Sequence, residues 1–171
     1  DCKIILETQC STDFEIKLAL EDYHPIIECL FHGFSNYPTE PNEHNLLALK
    51  YLKERYGLSV GFADHSLDTQ IIPCMAMAVG CDFIEKHITI NRNNRQFDYQ
   101  VSLEPFELGI LVNTIKHYQQ VLGNEIKHPV KSEVGFRDII FKKYLGNDVF
   151  KRDNKGKTFV ENEINSFRDR K

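Results

Sequence analysis

Five polar residues stand where short apolar runs give way to loops: His32, Asp64, His65, Glu85 and His87. Glu85 and His87 are two positions apart, a spacing that sends both side chains to one face of a strand. A carboxylate and an imidazole on an otherwise apolar face are costly to bury unless a cation or a partner compensates them. His65 falls one strand earlier and is expected beside them. Two neutral imidazoles and a carboxylate suit a first-row divalent metal such as Mn, Fe or Zn, with positions left open for substrate. A hydrogen-bonded or surface role for each histidine is the competing reading, and spacing alone leaves both standing.

The elements that must carry these residues alternate in type. Lys3 to Glu7 is a β-favouring run, and Thr12-Asp13-Phe14-Glu15 is a capping-box pattern that opens a helix reaching about Asp22. Pro25 introduces a second strand, Ile26 to Phe31, followed by a turn-rich loop from Ser35 to Asn42. Leu46, Leu49 and Leu52 recur at helical spacing, with Gly57 where a C-terminal cap belongs. Ser59 to Phe62 is a third strand, Thr69 to Val79 a helix stopped at Gly80, and Cys81 to Ile88 a fourth strand. A polar loop from Asn91 to Gln100 leads to a long amphipathic helix, Glu104 to Leu122, with Pro105 in its first turn. Such alternation defines an α/β chain of parallel strands joined by right-handed crossovers. In these folds active sites gather at the strand ends, where the five polar residues lie. Four units can form half of a (β/α)8 barrel or a small open sheet, and periodicity does not choose between them.

Composition removes several classes. The chain has 171 residues, 42% hydrophobic and 27% charged, which excludes a disordered or fibrous protein. The formal net charge of −4 argues against a nucleic-acid partner held through phosphates. The longest apolar run, Ile71 to Val79, contains Pro73 and falls far short of the ~20 residues of a membrane span. The five cysteines (Cys2, Cys10, Cys29, Cys74 and Cys81) include no C-x-x-C pair; they read mostly as buried, reduced thiols of a cytoplasmic protein. From Lys142 to Lys171 nine Lys or Arg face five Asp or Glu, a net of +4, which leaves −8 on residues 1–141. Residues 131–171 are thus expected to form an unmatched basic tail. The chain opens on Asp1 with no signal peptide, which points to a fragment, a processed product or a trimmed chain. At 171 residues it is too short for a complete (β/α)8 barrel of about 250.

Several motifs, taken in order, resemble the sialic acid (N-acetylneuraminate) synthase family, with its legionaminic, pseudaminic and spore-coat polysaccharide relatives. They are Ser35-Asn36-Tyr37-Pro38-Thr39, Val60 to Leu67 with its Asp64-His65-Ser66, Gly80, Ile84-Glu85-Lys86-His87-Ile88-Thr89, and Asp98 with Ser102-Leu103-Glu104-Pro105. The resemblance covers residues 2 to about 125. It implies a partial TIM (β/α)8 barrel over residues 1–130, entered at roughly its fifth strand and holding strands 5–8. It also implies a metal-assisted condensation of phosphoenolpyruvate with an N-acylated hexosamine of the N-acetylmannosamine kind, giving a nine-carbon 2-keto acid and phosphate. Carried over by motif, His65 and His87 resemble the metal ligands, with Glu85 ligating directly or through water, and the metal is expected to be Mn or Mg. Tyr37 resembles the substrate-contacting tyrosine, with Ser35 and Asn36 in the same loop, while Glu85 and Asp98 carry catalytic roles and Asp98 helps bind the sugar.

Departures stand beside the likeness. Glu7 occupies the place of a phosphate-binding serine, where a carboxylate repels phosphate. Ala63 replaces a serine before Asp64-His65, and Arg95-Gln96-Phe97-Asp98 replaces a Pro-Gly-Pro-Asp loop. Two alternatives follow: a non-catalytic half-barrel that has lost phosphoenolpyruvate binding and serves as a pairing subunit, or a diverged metal-dependent aldolase. A half-barrel leaves open strand edges, so association with a second copy or with a missing half is expected.

Overall fold

A computed structural model describes residues 2–137, and eight main elements follow one another in strict alternation. They are β1 (Ile4–Glu7), α1 (Asp13–Tyr23), β2 (Ile27–Gly33), α2 (Leu47–Tyr56), β3 (Ser59–Asp64), α3 (Ile71–Ala78), β4 (Phe83–Lys86) and α4 (Pro105–Leu122). The strands form one parallel sheet in the order β1-β2-β3-β4, each paired with its neighbour in sequence. In-order parallel pairing with alternating helices is the arrangement of part of a (β/α)8 barrel.

Local chemistry sets the helix limits. Thr12 Oγ1 accepts from the Glu15 N–H, and Glu15 Oε2 accepts from the Thr12 N–H at 2.7 Å, closing the capping box that starts α1. Gly57 ends α2 in the left-handed region (φ 65°) and donates its N–H to Lys53 O. Pro73 lies in the first turn of α3, where a helix has no use for the missing N–H. Glu104 caps α4 by exchanging bonds with Glu107, a box the sequence pattern did not announce.

The two faces of the sheet differ. Toward the helices, Leu30, Val60 and Phe62 are fully buried against Ile16, Leu20, Leu49, Leu52 and Ala76. The other face carries the smaller cluster Cys29, Phe31 and Ala63. Gly61 is required there: an added Cβ would lie within 2.6 Å of the Phe31 ring, which stacks at 6.5 Å on Phe83. Ile5 on this face remains 59% exposed and Phe83 50%.

Two expectations need correction. The fourth strand is shorter than Cys81 to Ile88. Asp82 is drawn out of it because its carboxylate accepts from the Val60 N–H and from Lys53 Nζ, and Ile88 bridges Leu103 instead. Of the cysteines, all free, Cys29 and Cys74 are buried, but Cys2 and Cys10 are exposed because their segments flank the short β1 rather than a core. The described residues fall into two units, divided after Gly123. Within the second, Glu133 accepts from the Val130 N–H through its side chain and from Arg137 N through its carbonyl. Most of the expected basic tail, from residue 138 on, lies outside the described residues.

Candidate functional site

The register of β3 and β4 determines the site. Ala63 pairs with Glu85 and Asp64 with Lys86, so the next residues, His65 and His87, leave the sheet side by side. Their ring centroids are 5.2 Å apart. His65 is buried, and its Nδ1 lies 2.6 Å from the Phe34 carbonyl oxygen. A carbonyl only accepts, so Nδ1 carries a proton, and in the neutral ring the lone pair is on Nε2. That pattern is the one by which a second hydrogen bond fixes the tautomer of a metal-binding histidine. The main chain is fixed as well, since Thr39 N donates to His65 O at 2.9 Å.

Tyr37 joins the pair. Its ring stacks on His65 with centroids 4.2 Å apart and meets His87 edge-on at 5.6 Å. Burial pushes the Tyr37 hydroxyl above its ordinary value, and the negative charges of Asp98, Glu85 and Glu7 add to the effect. Burial raises the Glu7 carboxyl; Gln9 partly offsets this by donating to it at 3.0 Å, while Glu85 raises it further. Asp98 Oδ2 is 3.7 Å from His87 Nδ1, an ion-pair distance that is too long for a hydrogen bond. Asp98 adopts φ 55°, and its carbonyl accepts from both Val101 N and Ser102 Oγ. Three carboxylates therefore surround two imidazoles and a phenol, a field that favours a cation.

The predicted residues are brought together unequally. His65, His87, Tyr37 and Asp98 converge. Glu85 lies within electrostatic reach but stays exposed on β4, and among the described residues no three His, Cys, Asp or Glu side chains close up enough to hold a metal ion. Ser35 donates to Gln9 Oε1 at 2.7 Å, and Asn36 Nδ2 donates to Glu43 Oε2 at 2.6 Å. His32 turns to the helix side, where its Nε2 bonds the His44 carbonyl.

Sequence reasoning missed a group beneath the site. Lys86, on the opposite face of β4 from Glu85, is 4% exposed and pairs at 3.0 Å with Asp64, which is fully buried. Burial lowers the Lys86 ammonium from its ordinary value, with Asp64 acting against the shift. Only the alternation of β4 hinted at it, by sending residue 86 away from 85 and 87. His44 was also missed; its buried Nε2 has no hydrogen-bond partner among the described residues.

Parallel strands in sequence order with alternating helices are the architecture of a segment of a (β/α)8 barrel, with the imidazole pair at the C-terminal strand ends. The chain belongs to the NeuB family, whose profile matches residues 2–127, and is sialic-acid-synthase-like. It is 36% identical over 139 residues to the N,N'-diacetyllegionaminic acid synthase of Campylobacter jejuni, covering 81% of this chain and 40% of that one. The sialic acid synthetase of Leptospira borgpetersenii, solved in complex with citrate, superposes with a TM-score of 0.75 at 32% identity over 84% of this chain and 50% of that one. The spore coat polysaccharide biosynthesis protein SpsE of Bacillus subtilis gives a TM-score of 0.68 at 28% identity, over 96% of this chain and 43% of that one. The chain thus spans two-fifths of the Campylobacter relative and 33% of the corresponding synthase of Legionella pneumophila.

Proposed function

We propose that this chain forms the metal- and sugar-binding half of a barrel that condenses phosphoenolpyruvate with an N-acylated hexosamine. In this reaction C3 of phosphoenolpyruvate bonds to the sugar aldehyde carbon, water adds at C2, and phosphate leaves. The observation that carries the reading is the His65–His87 pair, with the His65 proton committed to Phe34 O and Tyr37 stacked against the ring. By type, two imidazoles and a carboxylate suit a divalent cation, Mn or Mg, which His65 and His87 would hold with Glu85 directly or through water once these side chains draw together. When bound, such an ion polarises the aldehyde oxygen as a Lewis acid. Tyr37 walls the sugar and Asp98 accepts hydrogen bonds from its hydroxyls. Glu85, exposed on β4, takes up the proton released as water adds. Residues 1–130 form the barrel portion, and the half-exposed Ile5 and Phe83 support packing against a second half-barrel, from another copy or a companion segment. No helix among the described residues is long and apolar enough to cross a membrane; a cytoplasmic setting accords with the five free thiols.

A titration of the 171-residue chain with Mn²⁺, followed by electron paramagnetic resonance, tests the metal site. One bound ion per chain is expected, lost in His65→Ala and in His87→Ala; absence of binding to the wild type overturns this part of the proposal. One observation favours a second reading. Glu7 ends β1 within electrostatic reach of Glu85 and His65, where its charge disfavours phosphate. A chain that binds Mn²⁺ but releases no phosphate from phosphoenolpyruvate with N-acetylmannosamine is a pairing subunit, whereas turnover by the isolated chain rejects that reading.

A further inference from the structure

The buried ammonium of Lys86, next in sequence to His87, has as its partners Asp64 at the end of β3 and the loop that follows. Nζ lies 3.0 Å from Asp64 Oδ2, 2.7 Å from the Ser66 carbonyl oxygen, 3.3 Å from Ser66 Oγ and 3.1 Å from the Asp68 carbonyl oxygen. Asp64 Oδ1 in turn accepts from the Ser66 N–H at 2.8 Å. The residues on both sides of His65 are therefore tied to one charge, and that charge sits on β4 immediately before His87. Both members of the ion pair are out of solvent, at 4% and 0% exposure. An apolar pair of similar volume often serves stability as well as a buried ion pair does, so stability alone gives little reason for this one. What an apolar pair cannot reproduce is the set of directed bonds to two carbonyls of the loop.

We propose that Lys86 is a positioning residue: by clamping the loop after β3 it holds the His65 ring against Phe34 O and leaves Nε2 free beside His87. The inference rests on the metal reading of the histidine pair, but its first consequence, a single His65 tautomer, requires no metal. A lysine that merely satisfies loop carbonyls would affect folding and leave the ring alone.

The test uses the full chain as wild type, Lys86→Met, Lys86→Arg and the double variant Asp64→Leu with Lys86→Met. Thermal unfolding, long-range ¹H–¹⁵N spectra of the His65 ring and the Mn²⁺ dissociation constant are measured for each. The wild type is expected to show His65 in the Nδ1–H form. Lys86→Met loses stability because Asp64 is left buried without its partner, and the double variant recovers it. In the double variant the His65 ring populates both tautomers, and Mn²⁺ binding weakens about 10- to 100-fold, the usual effect of losing support behind a metal ligand. Lys86→Arg keeps the charge, but its planar fork does not match the same acceptors; its ring signals shift even where the melting temperature holds. His65 fixed in the Nδ1–H form with unchanged ring signals in every altered chain that folds overturns the proposal. A wild type that binds no Mn²⁺ removes the metal reading instead, and the tautomer measurement still decides the role of Lys86.

Discussion

A lysine–aspartate pair stands near each end of the third and fourth strands, Lys53 of α2 with Asp82 just before β4 and Lys86 of β4 with Asp64 of β3, and the two pairs live in different surroundings. At the N-terminal end Lys53 Nζ meets Asp82 Oδ1 at 2.7 Å with side chains 42% and 34% exposed. At the C-terminal end Lys86 meets Asp64 at a similar distance with almost no exposure. Water can replace the first pair at little cost, whereas the second must keep both members or neither. Identical chemistry thus fastens a turn at one end of the sheet and supports the candidate site at the other.

Removing one charge at each end tests the contrast most directly. Asp64→Ala leaves Lys86 buried and uncompensated, and a loss of about 3–5 kcal/mol is expected in urea unfolding. A smaller, graded effect should come with pH. Burial lowers the His32 and His44 rings from their ordinary value; for His44 the Asp64 and Glu43 charges act against the shift, while Lys86 and His32 act with it. The unfolded chain then takes up protons first. Stability should be complete above about pH 6.5 and fall as pH drops through the lower folded values. Hydrogen exchange between pH 8 and 5 should register the loss around β2, β3 and the loop bearing His44, and a flat response would remove these rings from the account. The smallest effect is expected for Lys53→Ala, at most ~1 kcal/mol in the same urea experiment and weaker still in high salt. A loss as large as that of Asp64→Ala would erase the distinction between the two ends.

Much of this was legible in the residues. Short apolar, β-favouring runs marked all four strands within a few positions, and the capping box at Thr12 and the glycine at 57 fixed helix limits as expected. The proximity of His65 and His87 followed from alternation along neighbouring parallel strands. The Asp64–Lys86 pair did not: the same register brings its members together, but nothing in the residue types shows that a lysine and an aspartate there are both out of solvent. The overlong fourth strand has a similar cause: Cys81 and Asp82 read as β-compatible, yet the Asp82 carboxylate serves the adjacent β3 backbone and Lys53. Nor does spacing reveal that Ser35 and Asn36 bond Gln9 and Glu43, since those partners depend on the path of the loop.

The strict β1-β2-β3-β4 order has a thermodynamic consequence. Each strand couples only to its sequence neighbours, so the sheet behaves as a short linear array whose cohesion is a chain of nearest-neighbour links. His65 follows a strand flanked on both sides, and His87 follows the terminal strand of the described sheet. Any ligand that grips both rings adds a link where the array has its fewest, and its binding energy becomes resistance of that end to fraying.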